Sequence, residues 1–345
     1  MQAIVWTGEL EVRDDVELRP IEPHEVLVRL HRAGLCHSDV AVIDGTIPFP
    51  TPVVLGHEGA GVVEEVGSAT SKVKVGDHVV LTTLGNCGQC DACDRGQPTH
   101  CRETMGRLGK PFTVGGAEAY QFANAGVFAD YTVVRESQAI VIDKAVPFDA
   151  ACLIGCAVVT GAGAVLNRAR VAPGQTVAVI GAGGIGLSVV QAARLAGASR
   201  IVVLDANPAK AAAALEFGAT DFVDASAVTD PIAAVKELGL KRGVDHAFEC
   251  VGHPALIRNA IDLLDWGGTC TLVGVPKLGT EASFVVNSLY NNKSILGCRY
   301  GATRPHHDIP LLVQLYLDGR FKLDEMVTKT YPLAEIGEAI ADQHG

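Results

Sequence analysis

The chain has 345 residues, of which 48% are hydrophobic and 19% are charged, and its formal net charge is −11. This length leaves room for two domains with sizeable cores, and the acidic balance argues against nucleic acid and anionic membrane surfaces as partners. No signal-peptide pattern follows Met1 and no apolar run of membrane-spanning length is evident, so we expect a cytoplasmic protein. Ten cysteines in such a chain favour metal binding or catalysis over disulfides.

The N-terminal part, residues 1–150, is predicted to be rich in β-strands. Its short, valine-rich runs are bounded by Gly, Pro or Asp, which is typical of strands. These runs are Glu25–Leu30, Gly61–Val66, Asp77–Leu81 and Tyr131–Val134. The pattern predicts a compact, β-barrel-like domain.

From about Ala157 the pattern changes, because predicted strands now alternate with alanine-rich helical stretches. The strands are Val177–Ile180, Ile201–Leu204, Asp221–Val223, His246–Cys250 and Thr269–Val273. Such alternation indicates a parallel sheet with helices on both faces.

The last part of the chain changes pattern again. After Ile295 the sequence predicts a helix over Asp308–Asp318 and a strand over Met326–Tyr331, which we assign to the first domain. The expected domains are therefore 1–156 with 299–345, and 157–298.

Three short segments of the expected first domain carry metal-ligand chemistry. They contain Cys36, the pair His57-Glu58, and Cys156. Taken singly, a Cys or a His is more often a buried structural residue than a metal ligand. The spacing of the three segments along the sequence does not by itself indicate that they meet in the fold. Together they offer a Cys, His, Cys set that suits zinc with one open position. Asp39 could then bond the distal nitrogen of His57, and Glu58 could serve as an alternate ligand.

A second cluster is a more specific signal of metal binding, because four thiols lie within fifteen residues. They are Cys87, Cys90, Cys93 and Cys101. Four soft ligands in a glycine-rich segment suit a closed, structural Cys₄ zinc site. Disulfides and an iron–sulfur cluster remain as alternatives.

The stretch from Thr176 to Asp205 predicts a strand, a glycine turn, a helix and a second strand. The turn reads Gly181-Ala182-Gly183-Gly184-Ile185-Gly186, in which Gly181 permits the tight turn, Gly183 a close approach of pyrophosphate, and Gly186 close packing of helix on strand. Phosphates would lie at the helix N-terminus. Asp205 is placed to bind the adenosine ribose and favours NAD over NADP, and Lys210 could contact the same ribose. The alternative is a βαβ unit that binds nothing.

These motifs, in this order, resemble the zinc-dependent alcohol dehydrogenases of the medium-chain dehydrogenase/reductase superfamily over essentially the whole chain. The match rests on Gly56-His57-Glu58, the Cys₄ segment and the Gly-x-Gly-x-x-Gly turn. The resemblance implies an α/β fold, with a Rossmann doubly wound parallel sheet and a β-rich GroES-like barrel as catalytic domain. It also implies NAD and two Zn²⁺ per chain, with Cys36, His57 and Cys156 at the catalytic zinc and Cys87, Cys90, Cys93 and Cys101 at the structural zinc.

The resemblance further implies reversible hydride transfer between an alcohol and NAD, which gives an aldehyde or ketone. Ser38 matches the residue that bonds the substrate oxygen. Thr160 and Ile185 match positions that pack near the nicotinamide, and Val273 and Val275 match the strand end that borders it. Relatives pair along the sheet edge near Leu296–Gly301, so a homodimer or homotetramer is expected. Family members usually continue beyond the position of Gly345, which suggests a trimmed C-terminus.

Three positions differ from the better-known animal enzymes. Ala41 stands in place of a relay histidine, and His37 stands where an arginine often contacts the pyrophosphate. Thr83 replaces an aromatic residue, which would leave room for a bulky or aromatic alcohol unless a neighbouring side chain fills it. One alternative is a dehydrogenase of S-hydroxymethyl thiol adducts, whose members carry an arginine beyond the fourth cysteine of the Cys₄ segment, near Arg102 and Arg107. The other is a non-catalytic nucleotide-binding relative.

Overall fold

The structure is a computed structural model that describes residues 1–104 and 107–344. The chain forms two compact units. The first comprises Met1–Cys156 and the C-terminal segment from Arg304 onward, and the second comprises Ala157–Thr303.

The first unit is built mainly of short strands. In chain order up to Cys156 its elements are β1 (Ala3–Trp6), β2 (Leu10–Arg13), β3 (Val16–Leu18), β4 (Glu25–Gly34), α1 (His37–Ile43), β5 (Val53–Val54), β6 (Glu58–Val66), β7 (His78–Leu81), α2 (Asp91–Asp94), β8 (Phe112–Val114), β9 (Ala117–Gln121), β10 (Tyr131–Arg135), β11 (Ala139–Val141) and α3 (Phe148–Leu153). The four strands expected from the valine-rich runs are all present as β4, β6, β7 and β10, with β4 and β6 longer than expected.

Two sheets of this unit share a hydrophobic core. One has the strand order β2-β1-β5-β9-β8-β3 and the other β10-β4-β6-β7-β11. Alternate residues of β4, such as Val26 and Val28, point inward and meet Val63 of β6 and Ile4 of β1. This period of two is what lets one face of each sheet exclude water. The expected barrel-like, GroES-like domain is confirmed.

The second unit contains the alternating elements. They are α4 (Val159–Gly163), β12 (Thr176–Ile180), α5 (Gly184–Leu195), β13 (Arg200–Asp205), α6 (Ala211–Phe217), β14 (Asp221–Asp224), α7 (Pro231–Glu237), β15 (Val244–Glu249), α8 (Pro254–Asp262), β16 (Leu264–Leu272) and β17 (Ser294–Gly297). The strands are parallel, in the order β14-β13-β12-β15-β16-β17. Numbered within the unit, this order is 3-2-1-4-5-6, the doubly wound arrangement of dinucleotide-binding folds. The Rossmann prediction is confirmed.

The boundary between the units lies after Thr303, five residues later than expected. Residues 300–303 pack against α4, where a Cβ on Gly163 would lie 2.3 Å from the carbonyl oxygen of Gly301. The Thr303 hydroxyl also donates to the carbonyl of Val159, at 3.3 Å. These contacts hold the segment in the second unit.

The C-terminal segment adds α9 (Pro305–Leu317) and α10 (Ile336–His344) to the first unit. The helix expected over Asp308–Asp318 is α9, which begins three residues earlier. The strand expected over Met326–Tyr331 is wrong, since the described residues 327–332 form no strand. Lys329 and Tyr331 instead bond the carboxylate of Asp342 on α10.

The expectation that no apolar run reaches membrane-spanning length is also wrong. Among the described residues, the helical stretch Phe148–Ala169 is long and apolar enough by length and composition. However, 78% of its most apolar window is buried inside the protein. A helix that is apolar on all sides is typical of a protein interior as well as of a bilayer.

Candidate active site

The structure brings together the side chains of Cys36, His57, Glu58 and Cys156, whose potential ligand atoms all lie within 4.8 Å of one another. Cys36 and Cys156 are separated by 120 positions in the chain, so their meeting depends on the fold of the first unit. His57 and Glu58 are buried.

Strand register places the first two segments side by side. Gly34, the last residue of β4, pairs with Glu58, the first residue of β6. Cys36 lies two residues after Gly34 and His57 lies one residue before Glu58, so the pairing brings the thiol and the imidazole to the same end of the sheet. A Cβ on Gly34 would lie 2.3 Å from Oε2 of Glu58, so a larger residue at this position would force that carboxylate to move.

Cys156 reaches the site from a π-helical stretch, Ile154–Val158, that follows α3. π-Helical turns are rare and are often found at functional sites. A Cβ on Gly155 would lie 2.2 Å from the carbonyl oxygen of Leu81, at the end of β7. The turn therefore packs backbone to backbone against the sheet, which positions Cys156.

Asp39 supports the ligand group through hydrogen bonds. Its Oδ1 lies 3.0 Å from Nδ1 of His57 and accepts the N–H of Gly56 at 3.0 Å, and its Oδ2 accepts the N–H of Cys36 at 3.2 Å. One buried carboxylate thus connects both ligand segments and leaves Nε2 of His57 as the nitrogen available to a metal.

The ionisable groups strongly perturb one another. Burial by itself disfavours the imidazolium, but Asp39 and Cys36 outweigh it and raise the pKa of His57 well above its ordinary value. A hydrogen bond from the Cys156 thiol lowers the pKa of Cys36, and the same contact raises the pKa of Cys156. A divalent cation would replace these protons and balance the buried negative charge. The donor set, two thiols and one imidazole, fits zinc with one open position.

Aromatic rings extend from this group. The ring of Phe122 meets that of His57 edge-on, with centroids 5.4 Å apart and planes at 86°. Phe49 meets Phe122 edge-on at 5.3 Å, and Tyr120 meets Phe49 at 6.4 Å. The sequence did not single out Phe49 as a site residue, because nothing in its spacing indicates that it lies next to Phe122.

The Cys₄ segment forms a separate site in the same unit. The four sulfur atoms lie within 4.8 Å of one another, and those of Cys87 and Cys101 are 3.7 Å apart. Four thiolates about 2.3 Å from a tetrahedral zinc would be separated by about 3.8 Å. The N–H of Gln89 lowers the pKa of Cys87 to about 7, which favours the thiolate. None of the ten cysteines, all within the described part of the chain, forms a disulfide, and the 3.7 Å between the sulfur atoms of Cys87 and Cys101 is well beyond the length of an S–S bond.

The glycine turn of the second unit has the expected geometry for a phosphate cradle. Gly181 has φ of +96°, and a Cβ on Gly186 would lie 1.8 Å from the carbonyl oxygen of Gly181. A Cβ on Gly183, the N-cap of α5, would meet nothing within 4 Å. The turn therefore leaves the N-terminus of α5 open, where unpaired N–H groups attract phosphate. These features fit a dinucleotide.

Other predicted cofactor residues lie around this turn. Asp205 ends β13 and accepts from the N–H of Ala182 at 2.7 Å, and Nζ of Lys210 lies 3.3 Å from its carboxylate. A Cβ on Gly161 would lie 2.4 Å from the carbonyl of Ile185, so α4 packs tightly on the first turn of α5 and brings Thr160 near it.

The remaining predicted residues differ in exposure. Val273 is buried just after β16, whereas Val275 is 63% exposed. In the first unit, Ser38 is half-buried on the first turn of α1, and His37 before it is exposed.

Comparison with known proteins identifies both units. Residues 22–144 match the model of the alcohol dehydrogenase GroES-like domain, and residues 184–318 match the zinc-binding dehydrogenase domain. The chain is 39% identical over 340 residues to the S-(hydroxymethyl)glutathione dehydrogenase of Photobacterium damsela subsp. piscicida, covering 96% of this chain and 92% of that protein. It belongs to the zinc-dependent alcohol dehydrogenases of the medium-chain dehydrogenase/reductase superfamily.

Solved structures of relatives agree with this family. The crystal structure of an alcohol dehydrogenase zinc-binding domain protein from Burkholderia ambifaria superposes on the dehydrogenase with a TM-score of 0.93, 41% identity and coverage of 99% of this chain and 95% of that one. Benzyl alcohol dehydrogenase from Acinetobacter calcoaceticus superposes with a TM-score of 0.92, 36% identity and coverage of 99% and 96%. The dehydrogenase is accordingly an oxidoreductase that uses zinc and a nicotinamide dinucleotide.

Proposed function

We propose that the protein is an NAD-dependent dehydrogenase that oxidises a primary alcohol, bulky or aromatic, to the aldehyde, and that catalyses the reverse reduction. The observation that carries this proposal is the convergence of Cys36, His57 and Cys156 in one buried group. A zinc ion held by these residues would act as a Lewis acid that lowers the pKa of the substrate hydroxyl. NAD would supply the hydride acceptor.

The chain's own residues have distinct roles in this proposal. Asp39 fixes the tautomer of His57 and couples the two ligand segments. Glu58 lies against Gly34, and its carboxylate would stabilise the metal electrostatically or act as an alternate ligand. Ser38 binds the substrate hydroxyl and accepts its proton. Ala41, which is buried on α1, cannot pass that proton on, so the ribose hydroxyls of the cofactor and water would carry it away.

The rings of Phe122, Phe49 and Tyr120 support an aromatic substrate. Phe122 lies edge-on to His57, and Phe49 and Tyr120 extend this apolar cluster away from the imidazole. An apolar surface beside a ligand imidazole would suit an aromatic ring. Thr83 would leave more room than an aromatic residue at the same position. The benzyl alcohol dehydrogenase of Acinetobacter calcoaceticus, at 36% identity, is consistent with this class.

A second candidate is oxidation of an S-hydroxymethyl thiol adduct. The relative from Photobacterium damsela and one from Synechocystis, at 39% and 37% identity, are S-(hydroxymethyl)glutathione dehydrogenases. A substrate panel separates the two candidates.

Steady-state assays with NAD should compare benzyl alcohol, ethanol, 2-propanol and formaldehyde with and without glutathione or mycothiol. We expect kcat/KM for benzyl alcohol to exceed that for ethanol by about tenfold or more, since burial of a ring contributes about 1.5–3 kcal/mol. Turnover of formaldehyde only when a thiol is present, at a higher kcat/KM than benzyl alcohol, would replace the first candidate by the second. NAD reduction with none of these substrates would contradict both.

We expect Asp205→Asn to lower the preference for NAD over NADP by about tenfold, because a hydrogen bond to a charged group contributes about 1.5–3 kcal/mol. Asparagine can still accept from Ala182 N–H but no longer repels a 2′-phosphate. The measurement is the ratio of kcat/KM for the two cofactors. Asp221→Asn is the control, since Asp221 pairs with Arg200 at the other end of β13. An unchanged ratio in Asp205→Asn would remove Asp205 from this role.

We also propose a homo-oligomer formed along β17, and a cytoplasmic location. Large apolar side chains that precede β17 are strongly exposed, among them Leu278, Val286 and Tyr290. Contiguous exposed apolar surface often marks an interface. The location is supported by the two groups of cysteine ligands, a pattern more typical of intracellular metal-binding enzymes than of secreted proteins.

A further inference from the structure

Glu249 is a fully buried carboxylate that the mechanism above does not use. It is the last residue of β15 and is 0% exposed. A buried carboxylate is costly unless it is hydrogen-bonded. Its Oε1 accepts the N–H groups of Val251 at 3.0 Å and Gly252 at 2.8 Å, and its Oε2 accepts that of Gly252 at 3.0 Å. Burial raises its pKa, and these donors partly offset the increase.

The backbone of Glu249 holds a second loop. Its carbonyl oxygen accepts the N–H groups of Val273 at 2.8 Å and Gly274 at 2.9 Å, just after β16. The two loops also touch directly, because a Cβ on Gly274 would lie 2.2 Å from the nitrogen of Gly252. One residue therefore joins the loops that follow two neighbouring parallel strands.

These loops lie where this fold binds nucleotides. Ligands of doubly wound sheets bind beyond the carboxyl ends of the strands, at the point where the strand order reverses, which here lies between β12 and β15. A Cβ on Gly181 would lie 2.7 Å from Cγ2 of Val251, so the first loop touches the glycine turn. Val251 is 49% exposed and Val275 is 63% exposed. Exposed apolar side chains at this edge suit the flat faces of a dinucleotide.

We propose that Glu249 is a positioning residue of the cofactor site, whose buried carboxylate and carbonyl clamp residues 250–253 to residues 273–275 and so hold Val251 and Val275 against the bound dinucleotide. The proposal rests on dinucleotide binding and not on the identity of the alcohol.

The test is the Kd for NADH, measured by fluorescence titration without alcohol, together with the Tm of the metal-loaded protein. We expect Glu249→Ala to raise the Kd by about tenfold or more, because the N–H groups of Val251 and Gly252 lose both acceptor oxygens. Glu249→Gln keeps one oxygen in the place of Oε1 and should stay within about threefold of wild type.

Asp245→Asn is the matched control. Asp245 is the second residue of the same strand, about 13 Å from Glu249, and its carboxylate accepts the N–H and hydroxyl of Thr176, both at 2.7 Å. This variant should lower the Tm and leave the Kd within about twofold of wild type, because the contacts of Asp245 lie at the amino ends of the strands, away from the nucleotide site at their carboxyl ends.

The proposal is overturned if Glu249→Ala binds NADH as wild type does, or if Asp245→Asn weakens binding equally at the same loss of Tm. Should Glu249→Ala fail to fold, Glu249→Asp takes its place, since it keeps the charge but falls one methylene short of the loop. A wild-type Kd for that variant would equally overturn the proposal. An error in the alcohol assignment would leave all of these Kd values unchanged.

Discussion

Cys156→Ser is expected to reduce turnover by about a thousandfold or more while the fold and the Cys₄ zinc remain. A serine hydroxyl stays protonated near neutral pH and is a poor zinc ligand. The two remaining ligands, Cys36 and His57, are not sufficient to hold the catalytic ion. The measurement is zinc content per chain together with kcat for the best alcohol. We expect the zinc content to fall from two to one.

Cys152→Ser is the control for this change. Cys152 is a buried thiol on α3, one turn before Cys156, and it donates to the carbonyl of Asp149 at 3.2 Å, which serine can also do. It should keep two zinc ions and stay within about threefold of wild-type activity, because conservative changes away from the metal leave the ligands in place. Full activity and two zinc ions in Cys156→Ser would contradict the assigned ligand set.

Cys101→Ser is expected to release the other zinc and to lower the Tm by about 10 °C or more, because a structural zinc contributes directly to folding. Cys101 is buried, and its sulfur lies 3.7 Å from that of Cys87 and 3.5 Å from the backbone nitrogen of Cys87. Its loss would therefore open the segment from Cys87 to Cys101. Differential scanning calorimetry and zinc analysis measure the effect.

The matching control is Cys270→Ala, which removes a buried thiol of β16 that belongs to neither ligand group. That variant should keep both zinc ions and lose a smaller part of its stability. Zinc retained at two per chain in Cys101→Ser would contradict a Cys₄ site. Iron in the wild-type protein would favour the iron–sulfur alternative.

Elements whose signal is local could be predicted without a structure. The alternation of strands and alanine-rich helices identified the Rossmann sheet, and the spacing of Cys87 to Cys101 identified four thiols that now lie together. The prediction of a strand over Met326–Tyr331 was wrong because it relied on the local pattern alone. A run of alternating residues becomes a strand only where a partner edge is available, and here the side chains bind Asp342 instead.

The amino-acid order alone was sufficient for whatever depends on neighbours a few residues apart, namely strand periodicity, the glycine turn before α5 and the Cys₄ segment. Whether Cys36, His57 and Cys156 meet was decided by long-range packing. It required the pairing of Gly34 with Glu58 and the seating of Gly155 on the carbonyl of Leu81. The clamp formed by Glu249 has the same origin, since hydrogen bonds between loops from separate strands leave no periodic trace in the chain. Contacts of this kind arise only when the sheets close, because strand register and backbone approach are properties of the folded chain.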